Sequence, residues 1–416
     1  MAQTSHETNA FYAALAKTPI GLLFPHLNFD QSQRQKKALL IGSTYGSKDY
    51  HWTLVSPIND VRNMKELLID LFGYTVTTLH EGDDADGRPT HANIQQAINE
   101  FILEEDNVDY VLMYAGHSFQ MDTLSSKEED GQSEYIIPCD ALRLVSRREP
   151  VPAFEDVIDT EKVIFDYDLH KALVKKMEDL NVKGCQLVAI FDSCHSCTLL
   201  NLKHHRCNRI GNITSTLRRA SRRVILEPMQ DNFGFSFVRT ETQRSLDLPK
   251  SPVDGVDPKR FPLPLISRWS RFRQCSGFCL RVPTLDKPLV ICISAAKDSQ
   301  ATWESDSNGS LIGPLIQLFR QDRNPTYKDV MISAQEGVTS VRGSYIKQVN
   351  DKYAKAKQEA QKKKGLPRAL WRFASSPKHR AEKADQLEAI KDRTDPQLSS
   401  MRPLVRYHLI CVLFSD

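Results

Sequence analysis

Short apolar runs alternate with stretches of helical periodicity from residue 36 onward, and this rhythm narrows the possible folds more than any other feature. Residues 37–42 (KALLIG) read as a strand stopped by Gly42 and Ser43. In residues 57–73 (PINDVRNMKELLIDLFG), Ile58, Val61, Met64, Leu68 and Leu71 share one helical stripe, and Gly73 is the stop. Residues 74–79 (YTVTTL) give a second strand, and 91–105 (HANIQQAINEFILEE) a second helix with Ile94, Ile98 and Phe101 aligned. Strand 110–115 (YVLMYA), helix 168–180 (DLHKALVKKMEDL) and strand 186–191 (QLVAIF) continue the series. Strands that are apolar throughout must be covered on both faces. The pattern therefore predicts an α/β fold with a mostly parallel central sheet flanked by helices.

The rhythm breaks between residues 203 and 285. This stretch holds 16 Lys or Arg against 6 Asp or Glu, with prolines through 249–264, and reads as a long exposed basic linker. A strand at 288–294 (PLVICIS) restores order, followed by helices near 311–320 and 326–340. A lysine-rich insert at about 345–395 is expected to be helical in part, and 406–414 (RYHLICVLF) to close the sheet. The arginine pairs and lysine runs lack aromatic interleaving or a nucleic-acid-binding module, so they read as solvated loop and helix faces.

Composition excludes several classes of function. Hydrophobic content of 40%, charged content of 26% and a net charge of +3 describe a globular chain with no general pull toward nucleic acid or membrane. No apolar stretch reaches the roughly 20 residues of a membrane helix, and the first 35 residues lack a secretory pattern. A cytoplasmic location is expected, with access to the nucleus. In such a reducing compartment the nine cysteines are not a disulfide framework. Cys292 and Cys411 sit in apolar strand patterns and read as small core residues.

Chemistry concentrates where strands end, because an open parallel sheet gathers function at its carboxyl edge. YVLMYA runs into Gly116-His117-Ser118, and QLVAIF runs into Asp192-Ser193-Cys194-His195-Ser196-Cys197. If the two strands are neighbours, His117 and Cys194 face each other, and a thiol beside an imidazole can attack a carbonyl as thiolate. Gly116 would permit a tight turn before the histidine. The amide groups of Ser118 and Cys194 would stabilise the oxyanion. Two other readings stay open. Cys194 and Cys197 form a C-x-x-C that can cycle as a redox pair. Cys194, Cys197, His204, His205 and Cys207 cluster as zinc ligands do, although their spacing matches no usual finger.

KKALLIG, PINDVRNM, YAGHS and FDSCHS, in that order, resemble a fungal-like type I metacaspase of the caspase-like clan. KDSQ (297–300) and DPQLSS (395–400) are similar to that family's small-subunit half. The resemblance implies a caspase–hemoglobinase α/β/α sandwich and a cysteine endopeptidase cutting after Arg or Lys through a His117–Cys194 dyad. Asp60 and Asp192 would bind the basic residue, with autoprocessing in the linker and a part in programmed cell death. It divides the chain into a short segment (1–35), a large-subunit-like half (36–202), the linker (203–286) and a small-subunit-like half (287–416).

Departures from the family pattern are Pro57 for Cys, Ala115 for Ser, Ser118 for Gly and Cys197 for Gly. They leave the dyad intact but open a competing possibility, a catalytically weak regulatory or scaffold protein. The four calcium positions fall on Ser133, Asp166, Tyr167 and Asn201, so Asp166 is a weak candidate ligand unless Asp130 or Asp168 substitutes. No cofactor is expected to be required. The expected partners are protein or peptide substrates of a monomeric enzyme, without nucleic acid or membrane.

Overall fold

The computed structural model describes residues 34–46, 52–122, 132–147, 153–194, 198–205, 207–208, 275, 279, 288–296, 311–362 and 395–404. Most of the expected linker, residues 195–197 and 297–300, most of the lysine-rich insert and the strand expected at 406–414 lie outside these residues.

The strand–helix rhythm builds one central sheet. Strand β1 (Gln35–Gly42) leads to helix α1 (Pro57–Phe72), β2 (Thr75–His80), helix α2 (His91–Phe101) and β3 (Val108–Ala115). Short strands β4 (Ser118–Asp122), β5 (Gln132–Ile136), β6 (Leu142–Arg147), β7 (Ala153–Ile158) and β8 (Ile164–Phe165) follow. Helix α3 is α-helical over Asp166–Leu169 and Lys176–Leu180, with a π-helical segment His170–Lys175 between them. Strands β9 (Gln186–Asp192) and β10 (Leu289–Ser294), helices α4 (Ile312–Gln321) and α5 (Tyr327–Lys362), and β11 (Gln397–Ser400) complete the fold. The sheet order is β11-β10-β9-β3-β1-β2, with every pairing parallel except that of β11 with β10.

Alternation along each strand feeds two cores. Ala38, Leu40, Val111, Met113, Val188 and Ile190 point to the face covered by α1, α4 and α5. Leu39, Ile41, Tyr110, Leu112, Leu187 and Phe191 point to the face covered by α2 and α3. Each fully buried Val, Leu, Ile, Met or Phe side chain among them contributes about 1.5–3 kcal/mol of transfer free energy. α1 ends at Gly73, whose φ of +67° is the left-handed conformation that closes a helix at little cost for glycine.

Three features differ from the periodicity. β4, β5 and β8 form a small antiparallel sheet and β6–β7 a hairpin, in a region where no strand is expected from apolar runs. They are short, so their signal is weak. α5 runs to Lys362, well past residue 340, because its second half is rich in Ala, Lys, Gln and Glu, all strong helix formers. The antiparallel strand described at the sheet's edge is Gln397–Ser400, within DPQLSS.

At the amino edge of the sheet, Arg34 grips Asp109 through Nε at 2.8 Å and through a second guanidinium nitrogen, and donates to the Gly184 carbonyl at 2.7 Å. Asp109 is 1% exposed, so this pair ties the entry to β1, the start of β3 and the turn before β9 inside a nearly dry environment.

Candidate active site

Parallel pairing aligns the carboxyl ends of the strands in a row. Gly42 pairs with His80 and Ala115, and Ala115 pairs with Asp192. His117 stands two residues beyond Ala115, and Cys194 two residues beyond Asp192. The imidazole and the thiol thus leave neighbouring strands in equivalent register, although 77 positions separate them (194 − 117).

His117 is held on all sides. Its Nε2 lies 2.8 Å from the Trp52 carbonyl oxygen, which can only accept, so Nε2 carries the hydrogen. In the neutral ring the basic lone pair is therefore on Nδ1. Tyr45 stacks on the ring at 4.9 Å, and Trp52 meets it edge-on at 5.5 Å. The Tyr45 hydroxyl accepts the His117 backbone N–H at 2.8 Å and donates to the Ile137 carbonyl at 2.9 Å. The Tyr114 hydroxyl donates to the His117 carbonyl at 2.7 Å. Burial raises both phenols above the ordinary tyrosine range, so they act as fixed hydrogen-bonding posts.

Tyr45 has φ of +61°, uncommon for a residue with a side chain. Its N–H and that of Thr44 are pinned by the Glu81 carboxylate at 2.8–3.1 Å, which holds the conformation. Tyr45, Trp52, Tyr114 and Glu81 are not singled out by the sequence reading. One signal is present, since Tyr45 follows the end of β1 at the same sheet edge as His117.

Gly116 is needed for a reason other than a tight turn. Its backbone is not left-handed; instead a Cβ there would stand 2.7 Å from the Tyr114 hydroxyl and 3.1 Å from that of Tyr45. Ser118 likewise carries no positive φ, so a side chain is tolerated where the family pattern has glycine. The Ile137 N–H donates to the His117 carbonyl at 3.1 Å, which makes Ser118 and Ile136 a non-hydrogen-bonded pair of the β4–β5 ladder. The Ser118 N–H consequently points away from β5. The Ser118 hydroxyl donates to the Cys194 carbonyl, joining the two strand ends directly.

The acidic candidates occupy the same rim. Asp60 is buried in the first turn of α1, which packs against the end of β1: a Cβ on Gly42 would meet the Pro57 carbonyl at 2.7 Å. Asp192 Oδ2 accepts the Leu311 and Ile312 amides at 2.9 and 3.4 Å, so this carboxylate also caps the start of α4. At the calcium positions, Asp166 is buried and its Oδ2 accepts the Asn201 amide at 2.7 Å. Tyr167 is 56% exposed and stacks on Phe165. Other cysteines are quiet: burial pushes the Cys139 thiol up to about 11 and that of Cys292 to about 12, so both stay protonated at neutral pH.

Residues 36–203 match the family model described as the metacaspase, peptidase C14 domain. Metacaspase-1 of Yarrowia lipolytica is 34% identical over 185 residues, covering 43% of this chain and 35% of that protein. Metacaspase-1 of Cryptococcus neoformans is 33% identical over 186 residues, with the same coverage. Metacaspase-1 of Eremothecium gossypii is 25% identical over 331 residues, 76% of this chain and 63% of that protein. The chain thus spans about a third of the length of the first two relatives. Motif order and these matches agree: residues 36–203 of the chain are similar to the metacaspase, peptidase C14 domain.

Proposed function

We propose that the protein is a cysteine endopeptidase that cleaves after Arg or Lys, with Cys194 as nucleophile and His117 as general base and acid. The observation that carries the reading is the β3–β9 register, which sets Ala115 beside Asp192 and so brings the two reactive residues off adjacent strand ends.

His117 Nδ1 takes the Cys194 proton as sulfur bonds to the scissile carbonyl carbon. The oxyanion that forms is met by the amides of Ser118 and Cys194; one such donor is typically worth about 10²–10³ in kcat. The imidazolium then gives its proton to the departing amine, leaving a thioester. Water, deprotonated by the same nitrogen, hydrolyses the thioester and restores the thiol. Tyr45 beneath the ring favours the imidazolium through its π face, and the Trp52 carbonyl keeps the ring in the tautomer this sequence needs. Asp60 and Asp192 supply negative charge for a guanidinium or ammonium. Calcium is not required on this reading, because Asp166 is the single carboxylate among the four family positions Ser133, Asp166, Tyr167 and Asn201.

The test is hydrolysis of an Arg-ending amide substrate by wild type, Cys194→Ala and His117→Ala, each with millimolar calcium and with a chelator. Wild type should turn over equally in both conditions, and both variants should be inactive. No turnover by folded wild type would favour the scaffold reading. Preferred cleavage after Asp would overturn the acidic pocket, and strong calcium activation would overturn the assignment at Asp166.

A further inference from the structure

The chain leaves the sheet after β9 and returns to it before β10, and side chains from these two passages converge. His204 Nδ1 or Nε2 and the sulfurs of Cys207, Cys275 and Cys279 all lie within 4.8 Å of one another. Cys207 and Cys275 are buried at 4% and 7% exposure. His204 Nδ1 stands 3.6 Å from Cys207 Sγ. Around tetrahedral zinc, with bonds of about 2.3 Å to sulfur and about 2.0–2.1 Å to nitrogen, ligand atoms are separated by about 3.5–3.8 Å. The cluster is already near that size.

We propose that His204, Cys207, Cys275 and Cys279 bind a structural Zn²⁺. Three thiolates and one imidazole are a soft donor set that suits zinc and disfavours calcium or magnesium. Four protein ligands close the coordination sphere, so the ion would be structural.

The backbone at His204 and Cys275 is tied into the fold without any metal. His204 N–H donates to the Ser400 carbonyl on β11 at 3.0 Å, and Cys275 N–H donates to the Lys203 carbonyl at 3.2 Å. Asn208 braces the turn, donating to the His204 carbonyl at 2.5 Å and to Ser400 Oγ at 2.7 Å, and accepting the Leu404 N–H at 3.1 Å. Outer contacts of this kind orient ligands and support affinity. Among the described residues no cysteine is in a disulfide. This set differs from the zinc reading of the sequence: Cys275 and Cys279 enter, while Cys194 stays at the strand end with Ser118.

The function of such a site is to clasp both ends of the 203–285 segment. The metal would join positions 68 residues apart (275 − 207) and hold the passage that follows Cys194 against β11. Chain cleavage between 208 and 275 would leave both new halves on one ion. None of this depends on the peptidase reading.

The experiment uses the full chain, purified without chelators and passed through gel filtration. Elemental analysis should find about one zinc per chain, and zinc K-edge X-ray absorption should fit three sulfurs and one nitrogen at the distances above. Cys194→Ala should keep the metal, whereas Cys275→Ser/Cys279→Ser should lose it. A strong chelator should remove it from wild type, lower Tm and expose three additional reactive thiols. The absorption spectrum reads the ligand set on wild type, so the proposal stays testable if the double variant misfolds. Wild type that carries little metal after incubation with zinc and gel filtration, a disulfide mapped among Cys207, Cys275 and Cys279, or loss of zinc on Cys194→Ala would each overturn it.

Discussion

Asp192 serves two demands at once, and its two roles can be separated at the level of single atoms. Its Oδ2 caps α4, which asks only for an acceptor; binding a basic substrate residue asks for charge. Asp192→Asn keeps an acceptor oxygen and removes the charge. A charge-assisted contact is worth about 1.5–3 kcal/mol, so kcat/KM on Arg substrates should fall by roughly 10–150-fold with little change in Tm. An equal loss on substrates of every kind, together with a lower Tm, would mean that the cap is its main role. Tyr45→Phe removes the hydroxyl that links the His117 N–H to the Ile137 carbonyl. The Ile137 carbonyl keeps the Tyr114 hydroxyl at 3.2 Å, but depriving the His117 N–H of its acceptor should cost about 1–3 kcal/mol in stability. It should lower kcat more than it changes KM, since the ring is displaced while the substrate cleft is not. Gly116→Ala forces a methyl against two phenol oxygens and should be worse than Tyr45→Phe in both assays.

Elements at the two ends of the sheet do different work. The carboxyl ends carry the reactive residues. The amino end carries the Arg34–Asp109 pair, which pins β1 to β3 and to the turn before β9. Removing one partner leaves a charge buried and unmatched. Arg34→Ala should therefore cost about 3–5 kcal/mol in urea unfolding, while folded molecules keep their kcat because the site is at the opposite edge. A loss of kcat at full folding would show that the strand ends move together.

At the scale of the molecule, β9 and β10 belong to different halves of the chain and yet pair in parallel over six residues, Gln186–Phe191 with Leu289–Ser294. A cut anywhere between them removes no part of that ladder. On the proposed activity, wild type should acquire new amino termini after Lys or Arg between 203 and 286, and the two fragments should co-elute until denatured. Cys194→Ala, incubated alongside, should remain whole. Identical fragments from that variant would assign the cut to another protease.

The sequence alone determined the layer architecture, because runs such as KALLIG, YVLMYA and QLVAIF leave no solvated face and their spacing leaves room for covering helices. It also marked His117 and Cys194, since reactive groups at the ends of buried strands have one sheet edge to occupy. Strand order was beyond it: register between β3 and β9 comes from matching two buried faces across 77 positions, and no local pattern encodes that pairing. The Tyr45–Trp52 housing of the imidazole and the Asp192 cap on α4 were hidden for the same reason. The four metal-ligand candidates were likewise split in sequence, His204 and Cys207 on one side of a long basic segment and Cys275 and Cys279 on the other. Only the folded sheet, by fixing where the chain leaves and returns, decided that they meet.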